Sequence, residues 1–135
     1  MASSPPPRTI LLVDDEPAFR EMVGLMLEAG GHQVTTAANG RAGETLLEQK
    51  SFDLVITDVL MPEQDGLAFI SSLRQRQPGA RIIAMTGGGM VPAASYLRIA
   101  RGLGAHSLLE KPFGQDELLA AVESALATEP KPPAS

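Results

Sequence analysis

Cysteine is absent from all 135 residues, and so is tryptophan. Without thiols there are no disulfides, no zinc–thiolate centre and no cysteine nucleophile, a composition that fits the reducing cytosol. One tyrosine and four phenylalanines are too few to stack single-stranded bases on a protein surface. Net positive charge is lacking too. At −5 the chain has no bulk attraction to DNA, RNA or anionic lipid, so neither nucleic acid nor membrane is expected as a partner. No apolar run approaches the roughly 20 residues that span a bilayer. The opening "MASSPPPR" has no apolar segment behind its arginine and does not read as a secretion signal. What is present is a chain that is 44% apolar and long enough to bury the core of one domain.

Pro- and Ser-rich stretches predict disordered tails at 1–7 and 128–135, which leaves one domain at 8–127. Inside it, short branched runs alternate with helical patterns. "TILLV" (9–13), "HQVTTA" (32–37), "FDLVIT" (52–57), "RIIAMT" (81–86) and "HSLLE" (106–110) read as five strands. Residues 17–29 carry Phe19, Met22, Val23, Met26 and Leu27 at helical spacing, which predicts one core-facing stripe. Pro17 suits the first turn of that helix, and Gly30-Gly31 suits its end. Asn39 is placed to cap a helix through about Gln49, and Asp65 to cap one carrying Leu67, Ile70 and Leu73. Two more helices are predicted near 93–103 and 115–127. Five strands alternating with five helices imply an α/β fold. Its doubly wound parallel sheet has right-handed crossovers and helices on both faces.

The informative polar residues fall where strands end. Asp14 and Asp15 follow the first strand, Asp58 the third and Lys111 the fifth, and Thr86 ends the fourth. In an open sheet of order 2-1-3-4-5, flavodoxin-like, the ligand crevice lies at the carboxyl ends of strands one and three. Asp14, Asp15 and Asp58 then share one pocket. Three carboxylates and one lysine leave −2, which a hard divalent cation with oxygen ligands such as Mg²⁺ would offset. The plainer alternative is an N-cap by Asp15 and a solvated acidic face.

"ILLVDDEP", "DLVITDVLMPEQDG", "IIAMTGG", "GAHSLLEKPF" and "DELLAAVESAL", in that order and spacing, resemble the receiver domain of two-component response regulators, of the stand-alone chemotaxis type. The resemblance covers roughly residues 8–127. It implies that Asp58 is the phosphoacceptor, taking a phosphoryl group from a sensor histidine kinase or a histidine phosphotransfer protein. It implies direct Mg²⁺ ligation by Asp15, Asp58 and the main-chain carbonyl of Leu60, with Asp14 acting through water. Lys111 would pair with Asp58 and then with a phosphoryl oxygen. The Thr86 hydroxyl and the Gly87 backbone would contact the phosphoryl group, and Thr86 would move as the switch. Lys111–Pro112 resembles the family's cis bond. Output would pass to an unknown downstream protein through a face built from helix 93–103, strand 106–110 and helix 115–127.

The sequence departs from the family in three places. Leu108 stands where receivers usually carry the aromatic partner of the switch, with Tyr96 the one nearby substitute. "TGGGMVPAAS" (86–95) is longer and richer in glycine than usual, which lowers the cost of unusual backbone angles. Leu60 and Gly88 replace side chains that can steer a hydrolytic water, which predicts slow self-dephosphorylation. His32 and His106 lie on no long helix and are not expected to carry phosphoryl groups. Met22 and Met26 are expected in the core stripe. The competing functions are a receiver segment of a longer regulator or hybrid kinase, and a Mg²⁺-dependent aspartyl-phosphate phosphatase. The second lacks the expected Asp-x-Asp, because Val59-Leu60 follows Asp58. A flavin or nucleotide carrier lacks a phosphate loop.

Overall fold

The three central strands are almost wholly buried because the sheet is covered on both faces, whereas the two edge strands carry polar, partly exposed residues. The computed structural model describes residues 8–59, 66–87, 98, 102 and 104–127. Its strands are β1 (Thr9–Val13), β2 (Gln33–Ala37), β3 (Leu54–Asp58), β4 (Ile82–Thr86) and β5 (Ser107–Glu110). Its helices are α1 (Pro17–Ala29), α2 (Gly40–Gln49), α3 (Gly66–Arg76) and a last helix at Gln115–Ala127. The strands are all parallel, in the order β2-β1-β3-β4-β5. Both predicted tails, Asp65, Leu60, Gly88 and Tyr96 lie outside the described residues. So does most of the helix expected near 93–103, of which Arg98 and Gly102 are helical.

Successive side chains on a strand point to opposite faces, so each strand feeds two cores. Ile10, Leu12, Leu54, Ile56, Ile83 and Met85 pack with Val23 and Leu27 of α1 and with Leu118 and Val122 of the last helix. Leu11, Val13, Val55, Ile82 and Ala84 pack instead with Leu47 of α2 and with Phe69, Ile70 and Leu73 of α3. Removing one of these buried leucines or isoleucines down to alanine costs about 2–5 kcal/mol.

The α1 terminus shows why Gly30-Gly31 ends the helix. Gly31 takes φ 91°, a backbone region that glycine enters without a Cβ penalty. Its N–H donates to Glu28 O at 2.9 Å, and the His32 N–H reaches back to Leu27 O at 3.2 Å. These bonds form a Schellman motif. They draw His32 into the helix end, so β2 starts one residue later than predicted.

The other expectations divide by mechanism. Asn39 caps α2, its Oδ1 accepting from the Ala42 N–H at 2.8 Å. β3 runs from Leu54 through Asp58, so Asp58 is the last strand residue rather than the one after it. The register explains this, since Asp58 still pairs with Met85. Met22 is 39% exposed and leaves the predicted core stripe, and Leu25 is 60% exposed. Each helical residue turns about 100° from the last, so Met22 points away while Val23 points in.

At the amino end of the sheet, buried Arg74 donates to the carbonyls of Pro78 and of Gly104, the latter at 2.8 Å. Gly104 sits at φ 92°, and a Cβ there would lie 2.8 Å from Arg74 Nε. Burial pushes the Arg74 guanidinium below its usual pKa.

Candidate functional site

The sheet order places the β1 and β3 exits side by side, with Val13 in register with Thr57. The next residues, Asp14 and Asp58, therefore emerge together at the point where the chain reverses its winding. Carboxylate oxygens of Asp14, Asp15 and Asp58 all lie within 4.8 Å of one another. Asp14 is fully buried, Asp58 is 5% exposed, and Asp15 faces solvent.

Two buried carboxylates side by side need a cation or a proton. Lys111, just past β5, supplies one. Its ammonium donates to Asp58 Oδ2 at 2.8 Å and to Asp14 Oδ2 at 2.9 Å. Burial alone would lower the Lys111 pKa, but hydrogen bonds and charge from Asp58 and then Asp14 outweigh it. The net shift is upward, so the ammonium stays charged at neutral pH. The pairing with Asp58 matches expectation. The pairing with Asp14 does not follow from the sequence, because it depends on how far Lys111 reaches across the β3 exit.

Asp14 is held at both oxygens. Oδ1 accepts the Glu16 N–H at 2.9 Å, an Asx turn that launches α1. The Arg20 guanidinium, one turn into α1, donates to the Asp14 carbonyl at 2.8 Å. Neither Asp15 nor Glu16 caps the helix with its side chain, so the plain N-cap reading of Asp15 fails. Lys111 Nζ also lies 4.3 Å from the centroid of the Phe19 ring. Periodicity put Phe19 on the buried stripe of α1. Only the tertiary fold shows that the first turn of that stripe abuts the β5 exit.

Thr86 is 1% exposed, and its hydroxyl donates to the neighbouring Gly87 carbonyl at 3.3 Å rather than to Asp58. Its own carbonyl accepts the Lys111 N–H at 2.7 Å, which ties the β4 and β5 exits together. Leu108 is half-buried, pairs with Ala84 and packs against the α2–α3 core. The Lys111–Pro112 bond is cis, as the motif implied. Leu60, expected to offer a carbonyl, lies outside the described residues.

The donor set suits a hard divalent cation. It is all oxygen and anionic, and it opens to water through exposed Asp15. His32 and His106 stand at the opposite end of the sheet, before β2 and β5. There His106 Nδ1 accepts the Ile82 N–H at 3.3 Å.

Comparison with known proteins agrees with this arrangement. Residues 10–123 match the family model described as response regulator receiver domain. The transcriptional regulatory protein GlrR of Escherichia coli is 38% identical over 120 residues, 89% of this chain and 26% of that protein. FixJ of Bradyrhizobium diazoefficiens, also named a transcriptional regulatory protein, is 38% identical over 117 residues, 87% of this chain and 56% of that protein. This chain thus spans about a quarter to a half of the length of these relatives. A crystal structure of a response regulator receiver domain protein from Clostridium thermocellum superposes with a TM-score of 0.82 at 29% identity. It covers 89% of this chain and 94% of that one.

Proposed function

This chain belongs to the response regulator receiver domain family, and from that premise we propose that it is a phosphorylation-switched signalling receiver whose acceptor is Asp58. One observation supports this above the others: the Lys111 ammonium bridges Asp58 and Asp14 inside a cluster of three carboxylates.

In this reading an Asp58 oxygen attacks the phosphorus of a phosphohistidine on a sensor kinase or histidine phosphotransfer protein. A P–O bond forms and the P–N bond breaks, with the electron pair returning to the imidazole nitrogen, which takes up a proton. Phosphoryl transfer is mostly positioning and neutralisation of oxygen charge. Lys111 moves from Asp58 Oδ2 to a phosphoryl oxygen. Thr86 leaves Gly87 O and donates to another. Asp15 and Asp58 would hold Mg²⁺ directly and Asp14 through water, and the ion would supply the remaining positive charge when bound. Engagement of both Asp14 oxygens supports its indirect role. The chemistry is self-phosphotransfer and self-hydrolysis, with no turnover of a free substrate. Leu60 and Gly88 support a long-lived acyl phosphate, since neither can steer water.

The donor needs a surface beside the strand exits. α1 begins two residues past Asp15 and presents Met22 and Leu25 to solvent. They flank a groove of about 430 Å³ that also touches Ala18, Glu21, Met26 and Gln115. Clustered exposed apolar side chains mark interaction surfaces, and this one reaches Ala18 and Gln115, in the first turns of two helices that follow strand exits. We assign it to the histidine-bearing partner. Output then passes to a downstream protein through β5, the last helix and residues 93–103.

The relatives' greater length favours a second reading of the same chemistry, in which this receiver is a segment of a longer regulator. To test the first reading, the protein is incubated with Mg²⁺ and a small acyl-phosphate donor, and its intact mass is measured with and without Asp58→Ala. A gain of one phosphoryl group that the variant loses supports it. No adduct in the wild type, with this donor or with a phosphorylated kinase, overturns it.

A further inference from the structure

We propose that Phe19 is a positioning residue for Lys111, acting through the face of its ring. The proposal rests on the phosphotransfer reading above. An ammonium has three donors and no acceptor. Lys111 places it within hydrogen-bond reach of Asp58 and Asp14 at 2.8 and 2.9 Å, and the Phe19 ring centroid lies 4.3 Å away. The quadrupole of an aromatic face attracts a cation at this distance, most strongly where water is scarce. The Lys111 side chain is 15% exposed, so the contact is largely desolvated.

The ring is itself held. Phe19 meets Phe113 edge-on, with centroids 5.6 Å apart and planes at 85°. Phe113 is 6% exposed and belongs to the core shared by α1 and the last helix. A rigid core thus sets the plane of the Phe19 ring, and the ring sets one boundary of the volume open to the ammonium. A carboxylate in the same place would trap Lys111 in a third ion pair. An aliphatic side chain would confine it without attracting it. An aromatic face does a third thing: it holds the charge in the pocket without competing for its N–H donors. Lys111 can then pass from Asp58 to an incoming phosphoryl oxygen with little rearrangement.

The test compares Phe19→Leu and Phe19→Met with Phe19→Tyr, using a small acyl-phosphate donor and Mg²⁺ so that no partner docking enters. We expect the aliphatic variants to lower the maximal phosphorylation rate about three- to tenfold while the donor concentration at half-maximal rate changes little. Phe19→Tyr keeps the rate within about twofold, since its ring retains the same attraction. In a Lys111→Met background, Phe19→Leu has no further effect. In the wild type, NMR shows the Lys111 Hε protons displaced by the ring current, and the aliphatic variants lose that displacement. A folded Phe19→Leu protein as fast as wild type overturns the proposal. So does a Phe19→Tyr protein as slow as Phe19→Leu, or a wild type without ring-current displacement. A wild type that takes no phosphoryl group overturns the functional reading and this role with it. A wild type that is phosphorylated beside an indifferent Phe19→Leu overturns the positioning role alone.

Discussion

Lys111 Nζ and Asp58 Oδ2 lie 2.8 Å apart across 53 residues of sequence, and the same ammonium holds fully buried Asp14. One lysine therefore balances two carboxylates that water cannot reach easily. Replacing it by an apolar side chain leaves both acids facing each other. Lys111→Met is expected to lose about 1–3 kcal/mol of stability in metal-free buffer, the usual cost of stranding a buried polar partner. Added Mg²⁺ should raise the melting temperature of this variant more than that of the wild type, because the cation now meets a more negative site. Thermal unfolding with and without Mg²⁺ checks both. Equal Mg²⁺ gains in the two proteins would contradict the charge argument.

Thr86 provides the second prediction. Its hydroxyl rests on Gly87 O at 3.3 Å, a weak contact that a phosphoryl dianion would outcompete. Thr86→Ala should accept phosphate within a few-fold of the wild-type rate. It should not pass the change on. In NMR spectra, phosphorylation should shift the Gly87 and Lys111 amide signals strongly in the wild type and weakly in Thr86→Ala, with Thr86→Ser intermediate. Equal shifts in all three would remove the hydroxyl from the switch.

Leu25 is 60% exposed and lines the α1 groove, whose walls include none of Asp14, Asp15 and Asp58. Leu25→Asp should leave phosphorylation by a small acyl-phosphate donor unchanged. Transfer from a phosphohistidine protein should fall roughly tenfold, as expected on losing an apolar anchor worth about 1–2 kcal/mol. Unchanged transfer from the protein donor would move the docking face elsewhere.

Two glycines should respond in opposite directions. Gly24 lies inside α1, and a Cβ there meets nothing within 4 Å. Gly24→Ala should stabilise by about 0.5–1 kcal/mol through helix propensity. Gly104 sits at φ 92° against the Arg74 guanidinium. Gly104→Ala should destabilise by about 1–2 kcal/mol or more from the backbone alone. Urea denaturation of the two variants decides, and a stabilised Gly104→Ala would contradict the close approach.

Much of this architecture is legible in the sequence, for identifiable reasons. Two-sided burial makes strands such as "TILLV" continuous apolar runs, so the sheet shows itself by composition. Gly30-Gly31 and Asn39 mark helix ends because the backbone there needs a left-handed residue and a side-chain acceptor, needs that few residue types meet. The acidic site is readable because Asp14, Asp15 and Asp58 follow strands that the 2-1-3-4-5 order makes neighbours. What periodicity does not reveal is reach. The Lys111–Asp14 bond, the Arg20 clasp on the Asp14 carbonyl and the Phe19 ring beside Lys111 depend on side-chain length and on the exact seating of α1. The exposure of Met22 is likewise a matter of helix rotation, which the i, i+3, i+4 pattern defines only to within a residue.

The central claim is that Asp58, and neither of its two acidic neighbours, carries the phosphoryl group. The most direct test is to phosphorylate the protein with a small acyl-phosphate donor and Mg²⁺, and then reduce it with borohydride. Reduction converts an aspartyl phosphate to homoserine, which peptide mass spectrometry can locate. The account predicts homoserine at position 58 and unmodified aspartate at 14 and 15. Homoserine at Asp14 or Asp15, or at no position in protein that has taken up phosphate, would contradict it.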